Sequence, residues 1–498
     1  MKTYSTTFST ALHMLEAGAR NHPDAEALVC GDDRLSYAAY AAAVGAVASY
    51  LQAHGLSGGR VALVMPNSAD FAVALMGSLA SGAETAPLNP LYTAHELTGI
   101  LDDCRPGLIL AGPETAETVT GVARNLGLPA PWIVGPGARR LTGGAAPLPL
   151  PDPDAPGLLQ YTGGTTGRPK GVRITHRASA VNVAQRQALV PVMTEDRILA
   201  MTPMYHVYAS SMGLFAAPLA GAALVILPRY APDLVLETVA AERISFFLGS
   251  PTIYNGLLAT PGLASADLSS LRVSYSGSAA LPAETLAAWE RRSGSVVCEG
   301  YGQTECGPVL TSNPSHGPRK TGSVGPALPD TELQIVDVET GTRVLPHGQT
   351  GEIRARGPQV MLEYLNRPEE TAAALRDGWV HTGDIGEMDA DGYLFVRDRK
   401  KDMVIVSGFN VYPREIEEEL YALPGVIEAA VFGVPDPRTG ERLVAHAVAP
   451  GLTPEDLGAH LAARLTRYKQ PREIVLVDSL PKTAIGKIDK PALRAAAR

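Results

Sequence analysis

Continuous apolar, β-branched runs alternate with longer Ala/Leu-rich stretches over the first two thirds of the chain. Residues 60–65 (RVALVM) predict a strand covered on both faces, because nothing polar interrupts them after Arg60. The pattern continues with a helix over 68–81, a strand over 84–87, a helix beginning over 96–103, and strands over 107–111 and 132–134. The same alternation returns between 197 and 298. Strands separated by helices pair in parallel, so an α/β fold with extensive parallel sheet is expected. Residues 143–156, rich in Gly and Pro, read as a surface connection.

Past about residue 322 the pattern shortens. Strands over 332–336, 351–356 and 392–396, separated by turns, predict a mainly β subdomain. The charge run RDRKKD at 397–402 stands between two apolar strands and marks a boundary. Beyond it the pattern gives a helix over 413–423, strands over 427–434 and 443–449, a helix over 454–465 and a strand over 473–477. That is a compact α+β unit. No internal repeat is present. At ~150 residues per domain, a chain of 498 residues suits one large domain and one smaller one.

Composition narrows the function. Apolar residues make up 45% and charged residues 19%, which is globular rather than disordered. The net charge of −9 argues against a general nucleic-acid binder. Four cysteines without CxxC spacing fit a reduced, cytoplasmic protein. The N-terminal stretch has no apolar leader core, so secretion is not expected. The apolar stretch 212–227 falls short of the ~20 residues a spanning helix needs and contains Pro218. It predicts a buried helix followed by a buried strand over 223–227. Peripheral membrane contact and a homodimer both remain compatible with these features.

Four segments carry candidate chemistry. In YTGGTTGRPKG (161–171), glycines let backbone N–H groups approach an anion, threonines add hydroxyls and Lys170 adds charge. This suits a polyphosphate, although it lacks the Walker pattern and alone also reads as a plain Gly/Thr loop. In EGYGQTECGP (299–308), Tyr301 could stack on a base, Thr304 could donate to phosphate and Glu305 could hold Mg²⁺. Alone, it reads better as a strand end and turn. In WVHTGD (379–384), Asp384 could accept from ribose hydroxyls, with Arg399 behind it, or could simply be a turn residue. In LPKTAIGKID (480–489), Lys487 is a mobile point charge that taken alone is a surface lysine.

Together, in this order, the four segments resemble the adenylate-forming acyl-CoA synthetases, with wording closest to fatty-acyl-CoA ligases. The resemblance runs from about residue 35 to residue 492. It implies a large N-terminal AMP-binding domain over 1–397, a hinge over 398–401 and a mobile α+β lid over 402–498. It also implies two half-reactions: a carboxylate and ATP give an acyl-adenylate and pyrophosphate, and the acyl group then moves to coenzyme A. ATP, Mg²⁺ and coenzyme A are the implied cofactor and co-substrates.

By the same resemblance, Thr162, Gly163, Gly164, Thr165, Thr166, Gly167 and Lys170 hold the phosphates. Gly277, Ser278 and Ala279 border adenine, and Tyr301, Gly302, Gln303 and Thr304 bind the nucleotide. Glu305 holds Mg²⁺, Asp384 and Arg399 take the ribose, and Lys487 contacts the attacking carboxylate and the α-phosphate. Lys401 occupies the hinge position. Ser407, Gly408 and Phe409 approach coenzyme A after a domain rotation that removes Lys487. His206, Val207, Tyr208, Ser211, Ser250 and Gly307 line the acyl pocket, and His206 gates it or orients the carboxylate.

No Arg or Lys occurs in the pocket segments, which argues against a dicarboxylate such as malonate. A medium- or long-chain fatty acid is the favoured substrate, with a cinnamate- or benzoate-type acid as runner-up. An enzyme that loads a carrier protein, a non-catalytic relative and a luciferase-type oxidative enzyme are the competing classes.

Overall fold

Val61, Ala62, Leu63 and Val64 have no access to water, because helices cover both faces of their sheet. The computed structural model describes residues 8–162, 169–406, 409–483 and 486–497. Among them, the strands form four sheets. In the first, Pro156–Thr162, Glu84–Leu88, Arg60–Val64, Leu108–Ala111 and Trp132–Ile133 lie side by side in parallel. Lys170–Thr175 folds back on Pro156–Thr162 as an antiparallel hairpin, and Glu363–Tyr364 pairs with its outer edge.

In the second sheet, Val296–Tyr301, Val273–Ser276, Phe246–Gly249, Arg197–Ala200, Ala223–Ile226 and Glu26–Cys30 run parallel. Short antiparallel strands, Thr311–Ser312 and Asp33–Ser36, close its two edges. The helix Ala69–Ala80 is buried on every side and packs into the core shared by these two sheets. Its Gly77 stands where a Cβ would fall 2.6 Å from Val47 of the helix Tyr37–Ala53, so only hydrogen fits.

The expected apolar helix and strand are present. Val207–Ala209, a π-helical turn Ser210–Leu214 and Ala216–Ala220 follow one another, and the strand Ala223–Ile226 comes next. No helix among the described residues is long and apolar enough to cross a membrane.

The third sheet is antiparallel and joins Glu332–Val336, Gly351–Arg356, Trp379–Met388, Leu375–Arg376 and Leu394–Arg399. Its last strand reaches further than the pattern predicts, into the charge run. Arg397 pairs with Glu387 across the hairpin, and buried Asp398 accepts the Arg414 N–H at 3.0 Å. Alternation thus satisfies the charges that read in sequence as a linker.

The fourth sheet begins at Val404–Val406 and includes Phe409–Val411, Gly440–Val448, Glu428–Asp436 and Glu473–Leu476. The helices Pro413–Tyr421 and Pro454–Arg464 cover one face, and Lys490–Ala496 covers the other.

Trp289, in the helix Ala283–Ser293, closes the outer face of the second sheet. It packs on the rings of Phe247 and Tyr254, and its Nε1 donates to Ser274 Oγ at 2.9 Å. Trp289→Ala is expected to cost about 3–5 kcal/mol, read by chemical denaturation of the purified chain.

Candidate active site

The site begins where the parallel strands end, because helix and strand termini leave backbone groups unpaired there. The hairpin of Pro156–Thr162 and Lys170–Thr175 sets Thr162 opposite Lys170. Gly163, Gly164, Thr165, Thr166 and Gly167 lie outside the described residues. Arg173 anchors the hairpin by bonding Glu84 at 2.7 Å. The Lys170 ammonium stands 5.1 Å from the centre of the Tyr364 ring. The Tyr364 hydroxyl donates to Glu305 Oε1 at 2.7 Å. One tyrosine thereby joins the hairpin to the YGQTEC segment, and nothing in its own sequence context marks it for that task.

Beyond the strand Val296–Tyr301 the backbone turns too tightly for side chains. A Cβ on Gly302 would fall 2.1 Å from the Pro308 carbonyl oxygen. Gly307 has φ 92° and lies against the Gln359 backbone. The turn buries Thr304 on the short helix Thr304–Cys306 and leaves Gln303 Nε2 donating to Thr382 O at 3.3 Å.

Asp384 is no turn residue. It sits inside the strand Trp379–Met388, directly across from Arg399. Its Oδ2 accepts the Tyr301 hydroxyl at 2.7 Å, and its Oδ1 lies 3.5 Å from Arg399 Nε. Burial pushes the Asp384 carboxyl up, while Arg399, Tyr301 and Lys487 hold it back.

Gly277 follows the strand Val273–Ser276, and the edge of the Tyr208 ring fills the place of its missing side chain, 2.8 Å from where a Cβ would sit. Ser278 adopts φ 73°, a strained conformation for a residue with a side chain, and Ala279 is exposed. His206 caps the helix Val207–Ala209, its Nδ1 accepting the Tyr208 N–H at 3.2 Å. Burial first, then the neighbouring Lys487, pushes His206 down to about 3. The ring is therefore neutral near pH 7, and its Nε2 carries the proton. The Tyr208 hydroxyl donates to Gly249 O and Tyr275 O at 3.1 and 3.2 Å. Val207, Ser211 and Gly307 are buried, and Ser250 opens the helix Pro251–Leu258 half-buried beside them.

Lys487 is brought to this centre from the other end of the chain. Thr483 N–H donates to Lys487 O at 2.7 Å, and Lys487 N–H returns to Thr483 Oγ1 at 3.2 Å. The Thr252 hydroxyl donates to Gly486 O at 2.8 Å, docking the loop on the helix Pro251–Leu258. Burial lowers Lys487 to about 8, with Arg399 adding to the effect and Asp384 opposing it. The exposed, sequence-isolated lysine is in fact half-buried and electrically coupled to Asp384, Arg399 and His206.

Phe409 is not brought here; it is exposed and stacks on Tyr468, with ring centres 4.7 Å apart. Lys401 is exposed, beside the ion pair of Asp402 and Arg494 at 2.7 Å. Ser407 and Gly408 lie outside the described residues. The described residues thus bring Asp384, Arg399, Tyr301, His206 and Lys487 into one neighbourhood.

Residues 15–365 match the family model described as AMP-binding enzyme, and residues 415–487 match that of the AMP-binding enzyme C-terminal domain. A long-chain-fatty-acid–CoA ligase of Bacillus subtilis is 36% identical over 96% of this chain and 93% of its own. A feruloyl-CoA synthase of Amycolatopsis is 37% identical over 96% of both chains. The crystal structure of the anthranilate CoA ligase AuaEII with anthranoyl-AMP superposes with a TM-score of 0.92 at 28% identity, over 98% of this chain and 97% of that one.

The lowered Lys487 is directly observable. After reductive ¹³C-methylation, one lysine signal is expected to titrate near pH 8, and Lys487→Gln is expected to remove that signal.

Proposed function

The chain belongs to the AMP-binding enzymes, as an acid–thiol ligase of the AMP-forming kind, and we propose that the site around Lys487 carries out the acid-activating half of that reaction. In this reading a carboxylate oxygen of the acid attacks the α-phosphorus of ATP. The bond to the bridging oxygen breaks, and pyrophosphate leaves with both electrons. The thiol of coenzyme A then attacks the acyl carbon, AMP leaves as the mixed-anhydride oxygen departs, and the thiol proton goes to solvent. The observation that supports it most is Lys487 docked within the field of Asp384, Arg399 and His206.

Each residue's part follows from its chemistry. Two anions must meet, so cations and N–H or O–H donors have to offset their repulsion. Lys170 and the hairpin hold the phosphates, and Asp384 accepts from the ribose hydroxyls beside Arg399. Lys487 bridges the attacking carboxylate and the α-phosphate; bound anions raise its pKa from about 8, keeping it charged. His206, being neutral, orients the carboxylate by a hydrogen bond from Nε2–H rather than by charge. No general base is required, because a carboxylic acid is already ionised near pH 7.

Mg²⁺ fits the same residues. Glu305 offers a lone carboxylate oriented by Tyr364, and among the described residues no group of three or more His, Cys, Asp or Glu side chains gathers elsewhere. That suits a cation held by one or two carboxylates plus substrate phosphates. When bound, it would neutralise phosphate charge.

For the second half-reaction, Lys487 has to leave before the thiol enters. The break between the third and fourth sheets, at Arg399 to Val404, supports a hinge at Lys401. Rotation there would bring residues 407–409 toward the thiol path, in the cytoplasm where coenzyme A is found.

The motif wording favours a fatty acid, whereas the packing favours a compact one. Tyr208 fills the space beside Gly277, and Tyr275 stands behind it with ring centres 6.3 Å apart. Aromatic rings packed at the strand end suit a flat, compact acid better than a long flexible chain. We place the acid among compact, aromatic-type acids, with fatty acids second because of the B. subtilis long-chain relative.

A pyrophosphate-release screen over alkanoates of rising length and over aromatic acids tests this order. Lys487→Ala is expected to lower acyl-adenylate formation by about 10²- to 10³-fold while sparing thioester formation from supplied acyl-adenylate. Equal loss in both half-reactions contradicts the assignment.

A further inference from the structure

The helix Pro413–Tyr421 belongs to the C-terminal unit, yet its second residue is tied to the third sheet by backbone and side chain alike. Arg414 N–H donates to Asp398 Oδ2 at 3.0 Å, and Arg414 Nη1 donates to Val396 O at 2.6 Å. Val396 and Asp398 precede Lys401 in the chain and Arg414 follows it, so both bonds reach across Lys401. Asp398 is buried and Arg414 is half-buried. Within its own helix, Arg414 Nε lies 3.6 Å from Glu418 Oε1, which steadies the guanidinium.

The helix has no cap of its own. The first N–H groups of any helix lack partners inside it. Tyr412 stands at the N-cap and, among the described residues, its side chain makes no capping bond. Pro413 brings no N–H, so Arg414 is the first residue whose N–H needs an acceptor. Asp398 supplies that acceptor, and its carboxylate suits the positive end of the helix dipole. Its Oδ1 accepts the Arg399 N–H at 2.7 Å, which fixes the carboxylate on the strand side. A cap taken from the neighbouring chain would travel with the helix. A cap taken from the third sheet is lost when the helix turns away.

The helix is bonded in turn to the segment that carries Lys487. Glu417, three residues after Arg414, pairs with Lys490 at 2.8 Å and accepts the Val431 N–H at 2.7 Å. Lys490 opens the helix Lys490–Ala496, three residues beyond Lys487. Arg494 in that helix pairs with Asp402 at 2.7 Å, next to Lys401. Docking Pro413–Tyr421 on the third sheet therefore also places Lys487. The Thr252 hydroxyl on Gly486 O is a neutral hydrogen bond, whereas the Arg414 bond to Val396 O is charge-assisted and the stronger kind.

We propose that Asp398 and Arg414 form a latch across Lys401 that holds the C-terminal unit where Lys487 is docked. They are positioning residues for the acid-activating step. The proposal rests on the acid-activating reading and deepens it, because it names what must break before Lys487 can leave. Turning about Lys401 opens both bonds at once, uncaps the helix and frees a carboxylate that is otherwise buried.

The test uses the full-length enzyme and two independent variants, so that it stands where one of them fails to fold. Arg414→Met keeps most of the stem and removes the donors. Asp398→Ala removes the acceptor, and Asp398→Asn keeps an oxygen that caps as well as Asp. The first measurement is cleavage by a lysine-specific protease at Lys400 and Lys401, without substrate. Arg414→Met and Asp398→Ala are each expected to raise the initial rate by about fivefold or more, since a hydrogen bond with a charged partner biases docking by about tenfold or more. Asp398→Asn is expected to stay near the wild-type rate.

The second measurement separates the half-reactions, with the acid that the pyrophosphate-release screen finds best. Both disruptive variants are expected to lower pyrophosphate release by about fivefold or more, while thioester formation from supplied acyl-adenylate and coenzyme A is held or faster. Unchanged cleavage in both variants, a rate raised as much by Asp398→Asn, or equal loss in both half-reactions overturns the latch and leaves the ligase reading intact. A wild type that releases no pyrophosphate with any acid of the screen overturns the ligase reading, and the cleavage comparison still decides the latch.

Discussion

The site hangs on the hydrogen bond from Tyr301 to Asp384. Tyr301 ends a strand of the second sheet, and Asp384 lies in the third. Across the hairpin Asp384 meets Arg399, the last residue of the strand Leu394–Arg399, just before the chain passes to the fourth sheet. Lys487 returns from the C-terminal unit into the field of the same pair. One buried carboxylate therefore connects two sheets, the connection to the C-terminal unit and the loop that the unit delivers. Its burial raises the carboxyl pKa, and three neighbouring donors and cations oppose that rise. Such a group is poised to accept hydrogen bonds, because an under-compensated buried anion gains from every donor it finds.

The strands around Gly277 and Gly300 follow a different logic, in which glycine and tyrosine complement one another. Gly277 lets the Tyr208 ring close in, and Gly300 leaves space for the Tyr275 hydroxyl. Neither glycine is needed there for an unusual φ. Each is there because a neighbouring strand or helix projects an aromatic ring into its volume. The strand ends thus acquire aromatic walls that the strand sequence alone does not announce.

Much of this was legible from residue patterns. The strand at 60–65, the helix at 68–81 and the strands at 332–336 and 351–356 appear close to their expected bounds, since uninterrupted apolar runs and strict alternation leave few other options. The four motifs, read in order, named the chemistry. The exceptions are instructive. Residues 397–399 look like a linker and form a strand, because Glu387 and Arg414 satisfy their charges from across the fold. Asp384, which in sequence could be a ribose ligand or a turn residue, is held in a strand. Tyr364, which orients Glu305, has no local signature, because its partner lies 59 positions away.

Local sequence determined which segments become strands and helices, and which peptide stretches can wrap a phosphate, because backbone conformation and binary pattern act over neighbouring residues. Tertiary structure alone decided that a lone lysine near the C-terminus becomes half-buried beside Asp384, and that an arginine on a mid-chain helix becomes fully buried against the Phe246 ring. Charge and desolvation are properties of the surroundings a side chain acquires on folding, and those surroundings come from parts of the chain hundreds of residues apart.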